Sequence, residues 1–407
     1  MSQVPRWLPS APFGETQVGV GVLSAPNSSR QGGMALFGTK TVPDEEVGLL
    51  QPSVGEAGND RAKRPLSLAA TTITATLVGF LVGCVVSLYV FGQYDSETSA
   101  LKAVVGRQTY PLNFLVVGDW GREGEFNQTM VAEQMGRVGR QLKINFVVSV
   151  GDNFYQAGLK GPNDPKFQNS FSKVYTARSL QTPWYSVLGN HDYLGDTLLQ
   201  IGDALTKKDN RWFCDRSYLL KHNLCGPSHT GHCHKFVEFF FIDTTPFVDK
   251  YWSPEQKRTF DWRGIGHRQT YLDTQLEKLN SGLSSSSATW KIVIGHHTIR
   301  SLGRHGDTHE MVKQVLPILE KLKVDMYLNG HDHCLEHIKR EDSTVHFVTS
   351  GAGSKSFQGL RQGKPEDGLQ FGYDGQGFIS VSMAAQDLRI DFHDALGHKL
   401  HQLTLHK

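Results

Sequence analysis

The feature that most constrains this chain is a recurrence: each strong apolar run in its C-terminal three quarters ends in a turn that pairs glycine with Asp, Asn or His. The turns read Gly118-Asp119-Trp120-Gly121, Gly151-Asp152-Asn153-Phe154-Tyr155, Gly189-Asn190-His191-Asp192, Val293-Ile294-Gly295-His296 and Gly330-His331-Asp332-His333. The runs before them predict strands at Asn113 to Val117, Asn145 to Val150, Tyr185 to Leu188, Trp290 to Ile294 and Asp325 to Leu328. Further strands are predicted at Phe236 to Ile242, His346 to Thr349, Gly377 to Ser382 and Leu388 to Asp394. Helical periodicity falls at Phe126 to Gln141, Phe167 to Thr176, Thr270 to Asn280 and Glu310 to Leu322. Alternating strands and helices imply an α/β architecture, in which groups at the carboxyl ends of strands converge.

A second feature stands apart. From Leu66 to Phe91 the chain has no charged residue; at about 1.5 Å per residue this run reaches roughly 39 Å, enough to cross a hydrocarbon core of about 30 Å. It is predicted to be one transmembrane helix, with residues 1–65 a Gly/Pro/Ser-rich disordered tail, 92–110 a stalk and 111–407 the catalytic domain. Arg61, Lys63 and Arg64 precede the run, and Asp95 and Glu97 follow it. The positive-inside rule therefore predicts a single-pass membrane protein with its N-terminus in the cytosol and its catalytic domain lumenal or extracellular.

In that compartment Cys214, Cys225, Cys233 and Cys334 permit one or two disulfides, with the pairing left open. Asn127-Gln128-Thr129 is a glycosylation sequon. The Cys- and His-containing stretch from about Trp212 to Lys235, with His222, His229, His232 and His234, reads as an inserted loop pinned by a disulfide; its spacing matches no zinc site. The formal net charge of +2 comes from interleaved acids and bases, which gives no reason to expect nucleic acid as a partner.

The five turns carry chemistry suited to phosphate esters, where an oxygen nucleophile must approach an anionic phosphorus. Two metal ions neutralise the phosphate oxygens and acidify a bound water. Carboxylate and imidazole donors suit iron, zinc and manganese, and a phenolate such as Tyr155 favours a hard trivalent ion, which points to ferric iron.

In this order the turns resemble those of the purple acid phosphatases, within the calcineurin-like metallophosphoesterases. Arg211-Trp212-Phe213-Cys214, the stretch from Phe239 to Phe247, Gly295-His296-His297-Thr298-Ile299 and the stretch from Gly330 to His337 are similar to the low-molecular-weight, plant-like, tartrate-resistant branch. The resemblance runs from about Pro111 to His406 and implies a four-layer αββα sandwich. It implies Fe(III) held by Asp119, Tyr155 and His333, with Asp152 bridging to a divalent iron, zinc or manganese completed by Asn190, His296 and His331. It further implies attack on a phosphate monoester by a metal-bound hydroxide, with His191 and His305 binding phosphate or protonating the leaving alcohol, in a monomeric protein working in acid. Trp120-Gly121 stands where protein phosphatases and nucleotidases of the superfamily carry a histidine. Two other readings remain open at this point: a phosphatase-like membrane scaffold without turnover, and a related phosphodiesterase or nucleotidase.

Overall fold

The computed structural model describes residues 110–226 and 233–407. Strand β1 (Leu112–Val117) is apolar at nearly every position because both of its faces are buried. Phe114 and Val116 enter one core, while Leu115 and Val117 enter another beneath the helix Gln128–Leu142. Such runs mark interior strands of a covered sheet. β2 (Phe146–Ser149), β3 (Trp184–Ser186) and β4 (Trp212–Cys214) continue from β1 in parallel. On its other side an antiparallel meander of β12 (Gly377–Met383), β13 (Asp387–Asp394) and β14 (Lys399–His406) completes seven strands.

The second sheet also has seven strands. Its parallel centre is β6 (Phe236–Phe241), β7 (Trp290–Ile294), β8 (Met326–Asn329) and β10 (His346–Ser350). Antiparallel edges are supplied by β5 (Tyr218–Asn223), β9 (Leu335–Ile338) and β11 (Leu369–Tyr373). Here Phe239 and Phe241 face the first sheet, whereas Phe240 and Ile242 pack outward on Leu272, Leu279 and Leu283 of the helix Arg268–Ser285. The result is two sheets face to face with helices on their outer faces. Burial of each such large side chain contributes about 1.5–3 kcal/mol, so the core holds the strand ends rigidly. The five Gly-containing turns follow β1, β2 and β3 of one sheet and β7 and β8 of the other, and all open toward the same end of the sandwich.

Several expectations need correction. The segment read as an inserted loop contributes two strands: Trp212–Cys214 joins the first sheet and Tyr218–Asn223 the second. Residues 215–217 link these strands, Leu224 N–H still bonds to Lys235 O at 2.8 Å, and a Cys225–Cys233 disulfide follows, while Cys214 and Cys334 are buried free thiols. His229 and His232 lie outside the described residues. The helix predicted at Phe167 to Thr176 is a single turn, Gln168–Ser172. The one predicted at Glu310 to Leu322 is two short helices, His309–Gln314 and Leu316–Lys321, divided just before Pro317, whose ring lacks the N–H that would continue the ladder.

The membrane placement is also corrected. Among the described residues no helix is long and apolar enough to cross a membrane. The longest of them, Arg268–Ser285, carries Arg268, Asp273, Glu277 and Lys278. The run from Leu66 to Phe91, like the tail and the stalk, lies outside the described residues, so the single-pass topology with a lumenal or extracellular domain is not supported.

Candidate active site

The first turn is built around Trp120, a residue its motif carries for packing and for one hydrogen bond. Its indole sits among Phe154, Tyr175, Trp184 and Trp212, and its Nε1–H donates to Ser149 Oγ at 2.8 Å. Ser149 in turn donates to Asn153 Oδ1 at 2.6 Å, which ties the first turn to the second. The third turn is locked to the second by Asp192. This buried carboxylate accepts from the backbone N–H of Gly189, Asn153 and Phe154 and from the Gln200 amide. Burial, and then the nearby Asp152 charge, push Asp192 up to about 7.

Glycine begins these turns because they interlock. A Cβ on Gly189 would lie 2.2 Å from Asp152 Oδ1, and one on Gly330 would lie 2.4 Å from Asp119 Oδ2. The donors that follow pay in backbone strain: Asp119, Asp152 and His331 have φ of 59°, 50° and 69°. Left-handed conformations in non-glycine residues cost of order 1–3 kcal/mol and concentrate at functional sites.

All nine side chains singled out from the sequence come together. Asp152, Tyr155, Asn190, His191, His305, His331 and His333 line a cleft of about 360 Å³, and Asp119 and His296 lie buried beneath it. The Tyr155 hydroxyl is 2.7 Å from Asp152 Oδ2, 2.9 Å from Asp119 Oδ1 and 3.1 Å from His333 Nε2. His296 Nε2 is 3.3 Å from both Asn190 Oδ1 and His331 Nδ1, and 3.5 Å from Asp152 Oδ1. Asp119, Asp152 and His296 each offer a donor atom within 4.8 Å of the others. A larger cleft of about 520 Å³, lined by Arg216, His267 and Lys278 among others, contains none of the turn residues. Size alone therefore does not locate the chemistry.

Hydrogen bonds to the backbone fix which histidine nitrogens face the centre. His296 Nδ1–H donates to Val150 O at 2.9 Å and His333 Nδ1–H to Lys355 O at 2.6 Å, so each presents the Nε2 lone pair inward. His191 does likewise through Gln156 O at 2.5 Å. Burial holds His296 and His331 below the usual imidazole range and brings His333 down to about 3. Neutral imidazoles with one nitrogen anchored are the state that ligates metal.

The carboxyl and phenol groups have the opposite problem. Burial, and then Asp152, push Asp119 well up; burial, followed by the two carboxylates, pushes the Tyr155 phenol up. Burial acts to raise Asp152, but the neighbouring imidazoles of His296 and His191, together with hydrogen bonds from the Tyr155 hydroxyl and the His191 backbone N–H, hold it below the usual range. An oxygen-rich cluster this deeply buried is relieved by cations, and its mixture of carboxylate, phenol, amide and imidazole suits iron, zinc or manganese. The nitrogens of His296 and His331 are separated by a distance that one ion, at roughly 2.0–2.1 Å from each, spans.

His305 is placed by a group that the sequence reading quoted without a role. Asp332 accepts from the backbone N–H of His305 at 2.7 Å and Gly306 at 3.1 Å, and from Ser301 Oγ. The His305 ring then packs 4.3 Å from that of His331. His297, the second histidine of its motif, is turned away and bonded to Thr244 and Tyr251. Ser354, in the Gly351–Ser354 turn, donates to the Asp119 carbonyl and serves the architecture. Arg122, Lys250, Arg258 and Lys355 also line the cleft and were not legible from the sequence, since single cations scattered over separate loops carry no periodic or motif signal.

A fold of two packed sheets with this donor cluster at the strand ends defines a metallophosphoesterase, and the calcineurin-like phosphoesterase family pattern matches residues 112–335. The chain is 49% identical to purple acid phosphatase 3 of Arabidopsis thaliana over 79% of its length and 85% of that protein. It is 32% identical to tartrate-resistant acid phosphatase type 5 of Oryctolagus cuniculus, over 76% of this chain and 96% of that one. Among solved structures it resembles GAP50, the anchor in the inner membrane complex of Plasmodium, with a TM-score of 0.61 and 25% identity over 72% of this chain and 88% of that chain. The chain belongs to the purple acid phosphatases. It is by family an acid phosphatase, acting on phosphate monoesters at a two-metal site.

Proposed function

We propose that Asp119, Tyr155 and His333 hold ferric iron, that Asp152 bridges to a divalent iron, zinc or manganese, and that Asn190, His296 and His331 complete the second site. The single observation that supports this most strongly is the Tyr155 hydroxyl, which sits within 3.1 Å of both carboxylates and of His333 Nε2. A phenol that burial and two acids make hard to ionise becomes a phenolate only beside a strongly charged hard cation. When bound, the two ions supply Lewis-acid stabilisation of the phosphoryl oxygens and acidify water.

The remaining work belongs to the protein. His191, anchored through Nδ1–H to Gln156, points Nε2 to within 4.0 Å of Asp152, which places its ring to bind the phosphoryl group. His305 stands across the cleft on a loop fixed by Asp332 and is the proton donor to the departing alkoxide.

Metal analysis with a visible spectrum tests this assignment. The purified protein is expected to show a tyrosinate-to-iron charge-transfer band that Tyr155→Phe abolishes. A metal-replete, colourless protein would remove iron from the first site. Turnover of nitrophenyl phosphate but not of its bis ester separates a monoesterase from a phosphodiesterase.

A further inference from the structure

We infer that the cleft mouth is a second anion site, and that the preferred substrates are small phosphate esters whose leaving group carries another phosphate. This deepens the reading under Proposed function and rests on it. Four cations, Arg122, Lys250, Arg258 and Lys355, line the cleft, against Asp152 as its only carboxylate. They come from three separate loops. Arg122 follows β1, Lys250 and Arg258 follow β6, and Lys355 follows β10.

Their convergence on one cleft is the informative property. Among the described residues none of the four forms an ion pair; Arg137, Arg140, Arg178, Arg304 and Arg361 form none either, but of these only the four line the cleft that holds the donor cluster. The Arg122 guanidinium stacks 3.6 Å from the Tyr155 ring centre, and its Nε is buried with no hydrogen-bond acceptor. Lys355 Nζ stands 6.0 Å from the ring centre of Phe357, which itself stacks on His333 at 4.3 Å. Arg122 and Lys355 thus flank the Tyr155–His333 side of the centre, while Lys250 exerts its charge on His305 and His297.

A metal pair at the base of the cleft already answers the charge of the phosphoryl group being transferred. Four unpaired cations above it are surplus to that group and matched to a second anion on the part of the substrate that departs. The cleft volume of about 360 Å³ is near the lower end of small-ligand sites, roughly 300–1,000 Å³. A compact bisphosphorylated molecule fits it better than an extended acidic peptide.

The test compares release of inorganic phosphate from propanediol bisphosphate and from propyl phosphate by the metal-loaded full chain, with the bisphosphate rate halved for its two equivalent ends. We expect kcat/KM at least tenfold higher for the bisphosphate, with a preference that shrinks as salt is raised. Lys250→Ala, Arg258→Ala and Lys355→Ala should each reduce the bisphosphate value about threefold to tenfold more than the propyl phosphate value. Equal kcat/KM for the two esters, or a preference that the three substitutions leave intact, overturns the second anion site while the monoesterase stands. A preference appearing instead for a phosphoserine peptide with acidic neighbours, without one for the bisphosphate, also overturns it. Failure to hydrolyse either ester or nitrophenyl phosphate removes the hydrolase reading and this inference together.

Discussion

Tyr155 and Asp152 stand three residues apart in one turn and meet again through their side chains, with the phenol oxygen 2.7 Å from Asp152 Oδ2. The turn folds back because Asp152 takes a left-handed φ of 50° while Asp192 binds the N–H groups of Asn153 and Phe154 between them. One short segment thereby delivers both the bridging candidate and the phenolate candidate to the same point.

Removing that bridge should empty the site without unfolding the chain. Asp152→Ala is expected to lose both metals and at least about a thousandfold in kcat, given that two-metal hydrolysis has no other source of an activated nucleophile here. Asp119 loses its buried like-charged neighbour in this variant, which offsets part of the cost of the lost hydrogen bonds. Metal content by mass spectrometry and an unchanged far-ultraviolet circular dichroism spectrum are the checks, and full turnover by the variant would sink the bridging role.

The assignment of His305 predicts a dependence on the leaving group. His305→Ala should lower kcat by about a hundredfold on an alkyl phosphate, whose alkoxide needs a proton, and only a few-fold on nitrophenyl phosphate, whose phenolate leaves unaided. Burial holds His305 below the usual imidazole range, with Asp332 opposing the shift. The proton it donates is thus lost as pH rises through a value under 6.5, and alkyl phosphate turnover in the wild type should decline on that limb. Equal losses on both substrates would show that His305 only shapes the cleft.

Close packing between turns gives a third expectation. Gly189→Ala would place a methyl group 2.2 Å from Asp152 Oδ1, so the carboxylate or the turn must shift. Displacing a donor by about 1 Å costs on the order of a hundredfold in activity. The melting temperature should fall by several degrees, corresponding to roughly 1–3 kcal/mol for overpacking in a domain of this kind. A variant with native kcat and native metal content would mean that the turns do not interlock as described.

Much of this was legible before any coordinates. Five turns could be read because each follows a run buried on both faces, and because glycine next to a carboxylate, amide or imidazole is a spare local signal that recurs in one order. The edge strands Trp212–Cys214 and Tyr218–Asn223 were not legible, since polar and Cys/His-rich neighbours mask their short alternation. The break before Pro317 was visible in the sequence and should have divided the predicted helix. Asp192 and Asp332 lay within the quoted motifs, but their work as acceptors for backbone N–H groups depends on how distant turns approach. The membrane run was an inference from composition alone, and no helix among the described residues has its character.

Glu336 supplies a pH-dependent prediction outside the donor cluster. It is buried at the start of β9, accepts from the Leu302 N–H at 2.9 Å, and shares the Ser301 hydroxyl with Asp332. Burial raises it from 4.5 to about 7. A carboxyl group whose folded value lies above its unfolded one binds its proton more tightly when folded. Its stabilising contribution is therefore complete below about pH 4.5 and is lost as pH rises through about 7. Glutamine keeps the shape and a donor but cannot ionise. Glu336→Gln should thus gain stability relative to the wild type as pH is raised from 4.5 to 7, by an amount on the order of 1–3 kcal/mol, in urea unfolding of the metal-loaded protein. The histidines His337, His346 and His393, held low by burial, act in the opposite sense over part of the same range but are common to both proteins, so they cancel in the difference. A difference that stays flat across this interval would mean that folding does not raise the Glu336 carboxyl above its unfolded value.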